Sequence, residues 1–228
     1  MCVRYALNEP TKAIDQLSEQ LAAKLSAAKW QKPRYNIALT QIAPVIISEN
    51  SSIVLKGMRW GFTSKTQSLK TSSVLANARS ETVTELPTFK EAIVFTRCII
   101  PANGFYEFQD LGKRKQPYLF TLKDDSTMAL AGVWQKKDVD THAQFCLLTT
   151  EPNALVRSVH DRMPVILNPD AAKHWLNGEA LNQADVKRLT QSYNPDKMSA
   201  RRLSTYVNNV RNEGPECMAD EIVLPELF

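Results

Sequence analysis

Apolar positions along this chain switch between two periods. Near the start Ile14, Leu17, Leu21 and Leu25 recur at helical spacing, with Lys12, Glu19 and Lys24 elsewhere on the wheel. Thr11 reads as the N-cap and Pro33 as the stop, so a helix is predicted to run to about Trp30. β-Branched runs then take over. Residues 34–38 lead into a strand at 43–47, and Asn50-Ser51-Ser52 makes a turn. Ile53-Val54-Leu55 opens the partner of a hairpin that ends in Met58-Arg59-Trp60-Gly61-Phe62. Residues 63–73, with Lys65 and Lys70 among Ser and Thr, read as an exposed polar loop.

Polar residues crowd between small ones over residues 76–82, unlike a core element. A helical turn is predicted at 89–92, then a strand at 93–95. Cys98-Ile99-Ile100-Pro101 is a second apolar run. It stops at Ala102-Asn103-Gly104, and Phe105-Tyr106-Glu107-Phe108 follows. Three antiparallel strands are expected at 118–122, 128–134 and 145–149, joined by polar turns at 124–126 and 137–141. Asn153 caps a short helix over 154–159, and a strand follows at 165–167. Pro169 opens a helix over 171–176, another covers 184–193, and a last strand is expected at 203–210. No repeat or linker interrupts this order. The expectation is α+β: a single domain over residues 1–228, with a central, mainly antiparallel, barrel-like β-sheet and flanking helices.

Composition changes the picture little. The 228 residues are 43% hydrophobic, ample for a core. The net charge of +4 permits a polyanionic partner without demanding one. Cys2, Cys98, Cys146 and Cys217 show neither paired zinc spacing nor a disulfide framework, which suits a reducing, cytoplasmic compartment. No charged region followed by an apolar one opens the chain, and no apolar run approaches membrane-spanning length, so neither a secretory signal nor a membrane is expected. Seven glycines provide no phosphate loop, and GxSxG and HExxH are absent, so no metal and no cofactor are expected.

Chemistry gathers at the start. Removal of Met1 would leave Cys2 with a free α-amine beside its thiol, a 1,2-aminothiol. An aldehyde condenses with such an amine to an imine, and the sulfur closes a thiazolidine. The two groups titrate at about 7.7–8.0 and about 8.5, so both are usable near neutrality. Glu107 among three aromatics is a candidate acid with a raised pKa. His160, at a predicted helix end, is a candidate proton shuttle. Asn77 and Arg79 are two apart and share a face in an extended segment. Arg4 and Arg162 are further candidates for holding phosphate.

The ordered set resembles the SOS-response-associated peptidase (SRAP) family. The matching segments are Met1-Cys2 with Arg4; Arg34-Tyr35-Asn36-Ile37-Ala38; Arg59-Trp60-Gly61; Asn77-Ala78-Arg79 with Glu81-Thr82; Cys98 to Ala102 with Gly104 to Phe108; His160 to Pro164; and Val207-Asn208. Departures are Val3 for a usual glycine, Leu39 for a proline, Phe105 where tryptophan is common, and Phe62-Thr63-Ser64-Lys65 in place of a Pro- and Trp-containing loop. The resemblance implies one mixed α/β domain that binds single-stranded DNA and crosslinks to abasic sites through the N-terminal cysteine. By analogy Cys2 is the nucleophile, Asn77 positions its amine, Glu107 is the acid/base, and His160 assists sugar ring opening and crosslink reversal. Arg4, Arg79 and Arg162 would hold phosphates and Trp60 would contact DNA.

The reading that joins these is a monomeric abasic-site crosslinker of single-stranded DNA. Two rivals stand beside it. One is an N-terminal-nucleophile peptidase in which the Cys2 thiolate attacks an amide, with removal of Met1 as one form. The other is a nucleic-acid-binding module in which Cys2, Glu107 and His160 are dispensable.

Overall fold

The computed structural model describes residues 2–64, 73–136 and 142–222. Met1, Lys65, Lys70 and the turn expected at 137–141 lie outside the described residues. Two sheets face each other. In the larger, five strands close into a ring: Ile42–Glu49, Ser52–Trp60, Gln144–Thr150, Met128–Gln135 and Arg97–Ala102. The barrel-like expectation therefore holds, with two parallel pairings in an otherwise antiparallel pattern. The second sheet runs Met198–Arg202, Lys115–Leu122, Gly104–Asp110, Arg4–Leu7, Arg34–Ala38.

Alternation along the strands sorts the side chains into layers. Tyr5, Phe105 and Phe120 point from the smaller sheet toward the ring, where they meet Val45, Trp60 and Ile100. Their neighbours Ala6, Tyr106 and Leu119 point outward, under turns carrying Val207 and Cys217. The ring's other face, with Ile46, Ile99 and Leu148, is covered by the helices, including Trp175 and Val186. Burying each such large apolar side chain contributes about 1.5–3 kcal/mol.

The turn Asn50-Ser51 has positive φ at both positions (50° and 60°), the two-residue geometry that suits the twist of a hairpin. Gly104 is required by close approach, because a Cβ there would lie 2.8 Å from the Phe120 carbonyl oxygen. That contact seats the strand carrying Glu107 against its neighbour.

Several expected boundaries moved. The first helix is Pro10–Gln20, entered from Glu9 rather than Thr11, and it stops ten residues before Trp30. Ala22 adopts φ 51°, its N–H donating to Glu19 O and that of Ala23 to Ser18 O. This left-handed closure normally uses glycine, so the sequence carried no stop signal. Residues 93–95 end the helix Pro87–Phe95 rather than forming a strand. There Phe89, Ala92 and Ile93 bury one face, and Arg97 donates to the carbonyls of Ile93 and Val94 at 3.0 and 2.8 Å. The last strand is Met198–Arg202, and the residues after it form the short 3-10 turn Thr205–Asn208. The ends of the expected loop, Phe62–Ser64 and Ser73–Leu75, pair as a ribbon. Asn153 caps its helix as expected, accepting from Val156 N–H.

Candidate active site

One strand gathers the site. Gln144–Thr150 pairs Leu147 with Asn77 and Thr149 with Arg79, and on its other side Thr150 with Met163. The ring therefore brings Asn77, Arg79 and the loop His160-Asp161-Arg162 to one end. Ala78 packs on the helix side, so Asn77 and Arg79 share the opposite face, as their spacing implied.

Cys2 precedes the strand Arg4–Leu7 and packs into the layer between the sheets with no exposed surface. Its carbonyl accepts a 2.8 Å bond from Asn77 Nδ2, which fastens the start of the chain to the ring. Its sulfur has a 3.7 Å contact with the Arg4 carbonyl. Burial pushes the thiol well above its ordinary range, and the nearby Glu107 charge adds to this.

Glu107 shares the parity of Phe105, so its carboxyl enters the same layer while Tyr106 and Phe108 face away. Only 1% of its side chain is exposed, and burial raises its pKa to about 8. Much of the carboxyl is thus protonated at neutral pH, as a general acid requires. Its Oε1 has no hydrogen-bond partner, and Oε2 lies 4.0 Å from His160 Nε2. His160 continues from the helix Ala154–Arg157, its N–H donating to the Val156 carbonyl. Burial lowers its proton affinity.

Arg162 donates twice to the Glu81 carboxylate at 2.8 Å and once to the Thr149 carbonyl at 2.7 Å. Arg79 is exposed, and both arginines line a surface groove of about 620 Å³ with Arg157, Ser158 and His160. The exposed Arg79 and the Arg162 fork held by Glu81 put cationic groups at the rim beside His160, which suits an anionic partner.

Arg4 and Trp60 do not have the surface positions expected of them. The Arg4 guanidinium faces the other side of its sheet and donates to Asn36 Oδ1 and to the carbonyls of Val207 and Asn208, at 2.8, 2.9 and 3.2 Å. The strand begins only at Arg4, so a two-residue separation from Cys2 does not put both on one face. Trp60 is fully buried, donates to the Ala76 carbonyl, and stacks on Phe145. Neither side chain can reach a nucleic acid without unpacking the core.

Comparison with known proteins fits this arrangement. The model of the SOS response associated peptidase (SRAP) family matches residues 1–210. The chain belongs to this family. Abasic site processing protein YoaM of Bacillus subtilis is 36% identical over 97% of the SRAP chain and 99% of its own length. Abasic site processing protein YoqW of Bacillus phage SPbeta is 37% identical over 95% and 98%. Abasic site processing protein HMCES of Xenopus tropicalis is 30% identical over 84% of this chain and 67% of its own. A crystal structure of a protein from Bacteroides thetaiotaomicron shares the fold at a TM-score of 0.79 and 24% identity, covering 97% of this chain and all of that one.

Three groups in the SRAP site escaped the sequence reading. Glu81 was noted only as part of a matching segment, yet it holds Arg162. Asp161 touches His160 at 2.9 Å. Tyr5 places a buried phenol without a partner in the layer that holds Cys2. A carboxylate beside a candidate arginine or histidine was the available signal for the first two. Nothing in the sequence marked the third. Among the described residues no group of three or more His, Cys, Asp and Glu gathers as a metal site, and no helix is long and apolar enough to cross a membrane.

Proposed function

We propose that this protein processes abasic sites in single-stranded DNA by linking Cys2 covalently to the lesion once Met1 has been removed. The observation that carries this reading is the juxtaposition, in one buried layer, of Cys2 with the Glu107 carboxyl and a histidine 4.0 Å from that carboxyl. The SRAP family and the similarity to abasic site processing proteins supply the lesion.

The abasic deoxyribose is mostly a closed hemiacetal. His160 takes the proton of the C1′ hydroxyl and returns one to the ring oxygen, which frees the aldehyde. The Cys2 amine, oriented through the Asn77 bond to its carbonyl, adds to C1′. Glu107 gives its proton to the departing hydroxyl, leaving an iminium and the Glu107 carboxylate. That carboxylate takes the thiol proton as sulfur adds to C1′. One water is released in all, and Glu107 ends protonated as it began. A buried thiol with a raised pKa needs this nearby base. A general acid/base of this kind contributes about 10²–10⁴-fold. Arg79 holds one flanking phosphate and Arg162, exchanging the Glu81 carboxylate for it, holds another, so affinity falls with salt and is sequence-neutral. The site acts as a monomer in the reducing cytoplasm, where Cys2 stays a thiol.

The test mixes the purified protein with an abasic single-stranded oligonucleotide and resolves the product under denaturing conditions. Wild type forms a stable adduct and Cys2→Ala forms none. An undiminished adduct with Cys2→Ala would reject the reading.

A further inference from the structure

The nitrogen Nδ1 of His160 faces two groups that ask opposite things of it. The backbone N–H of Arg162 donates to it at 3.0 Å, which requires its lone pair. The carboxylate of Asp161 lies 2.9 Å from the same atom, which requires a proton there. One neutral ring cannot satisfy both. We propose that Asp161 is a positioning residue that selects the tautomer of His160: it accepts a hydrogen bond from Nδ1–H whenever Nε2 must accept, and yields to Arg162 N–H when the neutral ring must present Nε2–H.

This rests on the reaction described above and adds the device by which one imidazole both takes and gives a proton. Nε2 is the nitrogen turned toward Glu107, at 4.0 Å. To accept there, the ring must be the Nδ1–H tautomer, with that N–H donating to the Asp161 carboxylate. Accepting makes the imidazolium, still held by Asp161. Giving the same proton back restores that tautomer, and no net proton is gained. The alternative neutral tautomer, with Arg162 N–H on Nδ1, closes Nε2 to incoming protons. Because Arg162 also grips Glu81 and Thr149 through its guanidinium, the backbone that competes with Asp161 belongs to the residue proposed to hold phosphate.

Asp161 is 86% exposed at its side chain, so solvent screens its charge but leaves its short contact with the ring. Other charges that bear on the ring include Glu107 from the strand Gly104–Asp110, Lys115 from the adjacent strand Lys115–Leu122, and the chain's amino terminus. Burial depresses the affinity of the ring for a proton and Asp161 opposes that depression. Asp161 also raises the carboxyl of Glu107. Removing its charge should therefore move both groups in the same direction, toward acid.

The experiment follows the imidazole resonances by nitrogen-15 NMR during a pH titration of the intact protein without DNA. With three histidines in the chain, His142 and His174 serve as internal references. In Asp161→Asn the His160 midpoint falls by about half a unit or more, and the neutral ring shifts to the Nε2–H tautomer. Asp161→Glu restores part of both. The pH profile for adduct formation on an abasic oligonucleotide then moves toward acid by a similar amount, which loss of fold would not produce. An unchanged midpoint and tautomer in Asp161→Asn would overturn the proposal. If the NMR shift is found but the wild-type protein forms no adduct, the functional reading fails while the control of His160 by Asp161 stands.

Discussion

The two faces of the smaller sheet treat buried polar groups in opposite ways. On the outer face, the Arg4 guanidinium is bonded to Asn36 and two carbonyls, and the Asn36 amide is bonded to the carbonyls of Val207, Asn209 and Asn212. On the inner face, Glu107 Oε1 and the Tyr5 hydroxyl have no partner, and across the layer Asn77 Oδ1 has none. An unpaired buried polar atom costs roughly 1–3 kcal/mol. The outer face uses its polar groups to pin a turn. The inner face keeps its polar groups available at a stability cost, and that cost marks where chemistry is expected.

Glu107→Gln removes the acid while keeping the shape, so it breaks the inner half of this comparison most sharply. We expect the adduct-forming rate to fall by about 100-fold or more, measured by quenched time courses near pH 7. The same variant reads the linkage. Glu107 binds its proton more tightly folded (about 8) than at its ordinary value of 4.5, so its stabilising contribution is present below about pH 4.5. It is lost as pH rises toward 8. At about 1.4 kcal/mol per unit, several kcal/mol are involved. Urea denaturation of wild type should weaken over that window, and the slope should flatten in Glu107→Gln. A variant with both the wild-type rate and the wild-type slope would erase the distinction between the faces.

Arg4→Met sharpens the outer half. Three acceptors each lose a donor, so stability should drop by about 2–4 kcal/mol in urea titrations. The salt dependence of DNA binding should not change. A reduced salt slope in a fully folded Arg4→Met protein would restore Arg4 to the phosphate path. Arg79→Ala has the smallest expected effect on the fold, within about 0.5 kcal/mol, because the residue is exposed. Binding to single-stranded DNA should weaken, with the log–log salt slope falling by about one.

Much of the fold was legible because the strand pattern is dense and regular. The hairpin around Asn50-Ser51 and the cap at Asn153 both carried local signals. The early end of the first helix did not, since Ala22 stands where glycine would have announced the turn. The helix at 93–95 runs against its β-branched composition: Phe89, Ala92 and Ile93 bury one face, and Arg97, just past its end, donates to the last carbonyls. At the site, the spacing of Asn77 and Arg79 worked because both lie in a true strand. The phosphate role expected of Arg4 does not fit, because its guanidinium is turned to Asn36, Val207 and Asn208 on the outer face. Trp60 failed for another reason. Its indole is fully buried and donates to the Ala76 carbonyl, a contact that no local pattern encodes.

The central claim is that the amine and sulfur of Cys2 meet a sugar aldehyde inside this layer. The most direct measurement is the intact mass of the protein before and after mixing with an abasic oligonucleotide, for wild type and Cys2→Ala. The account predicts a chain lacking Met1 that gains the mass of the full oligonucleotide less one water, and no gain in Cys2→Ala. Retention of Met1 on a protein that still forms the adduct, or an equal gain in Cys2→Ala, would contradict it.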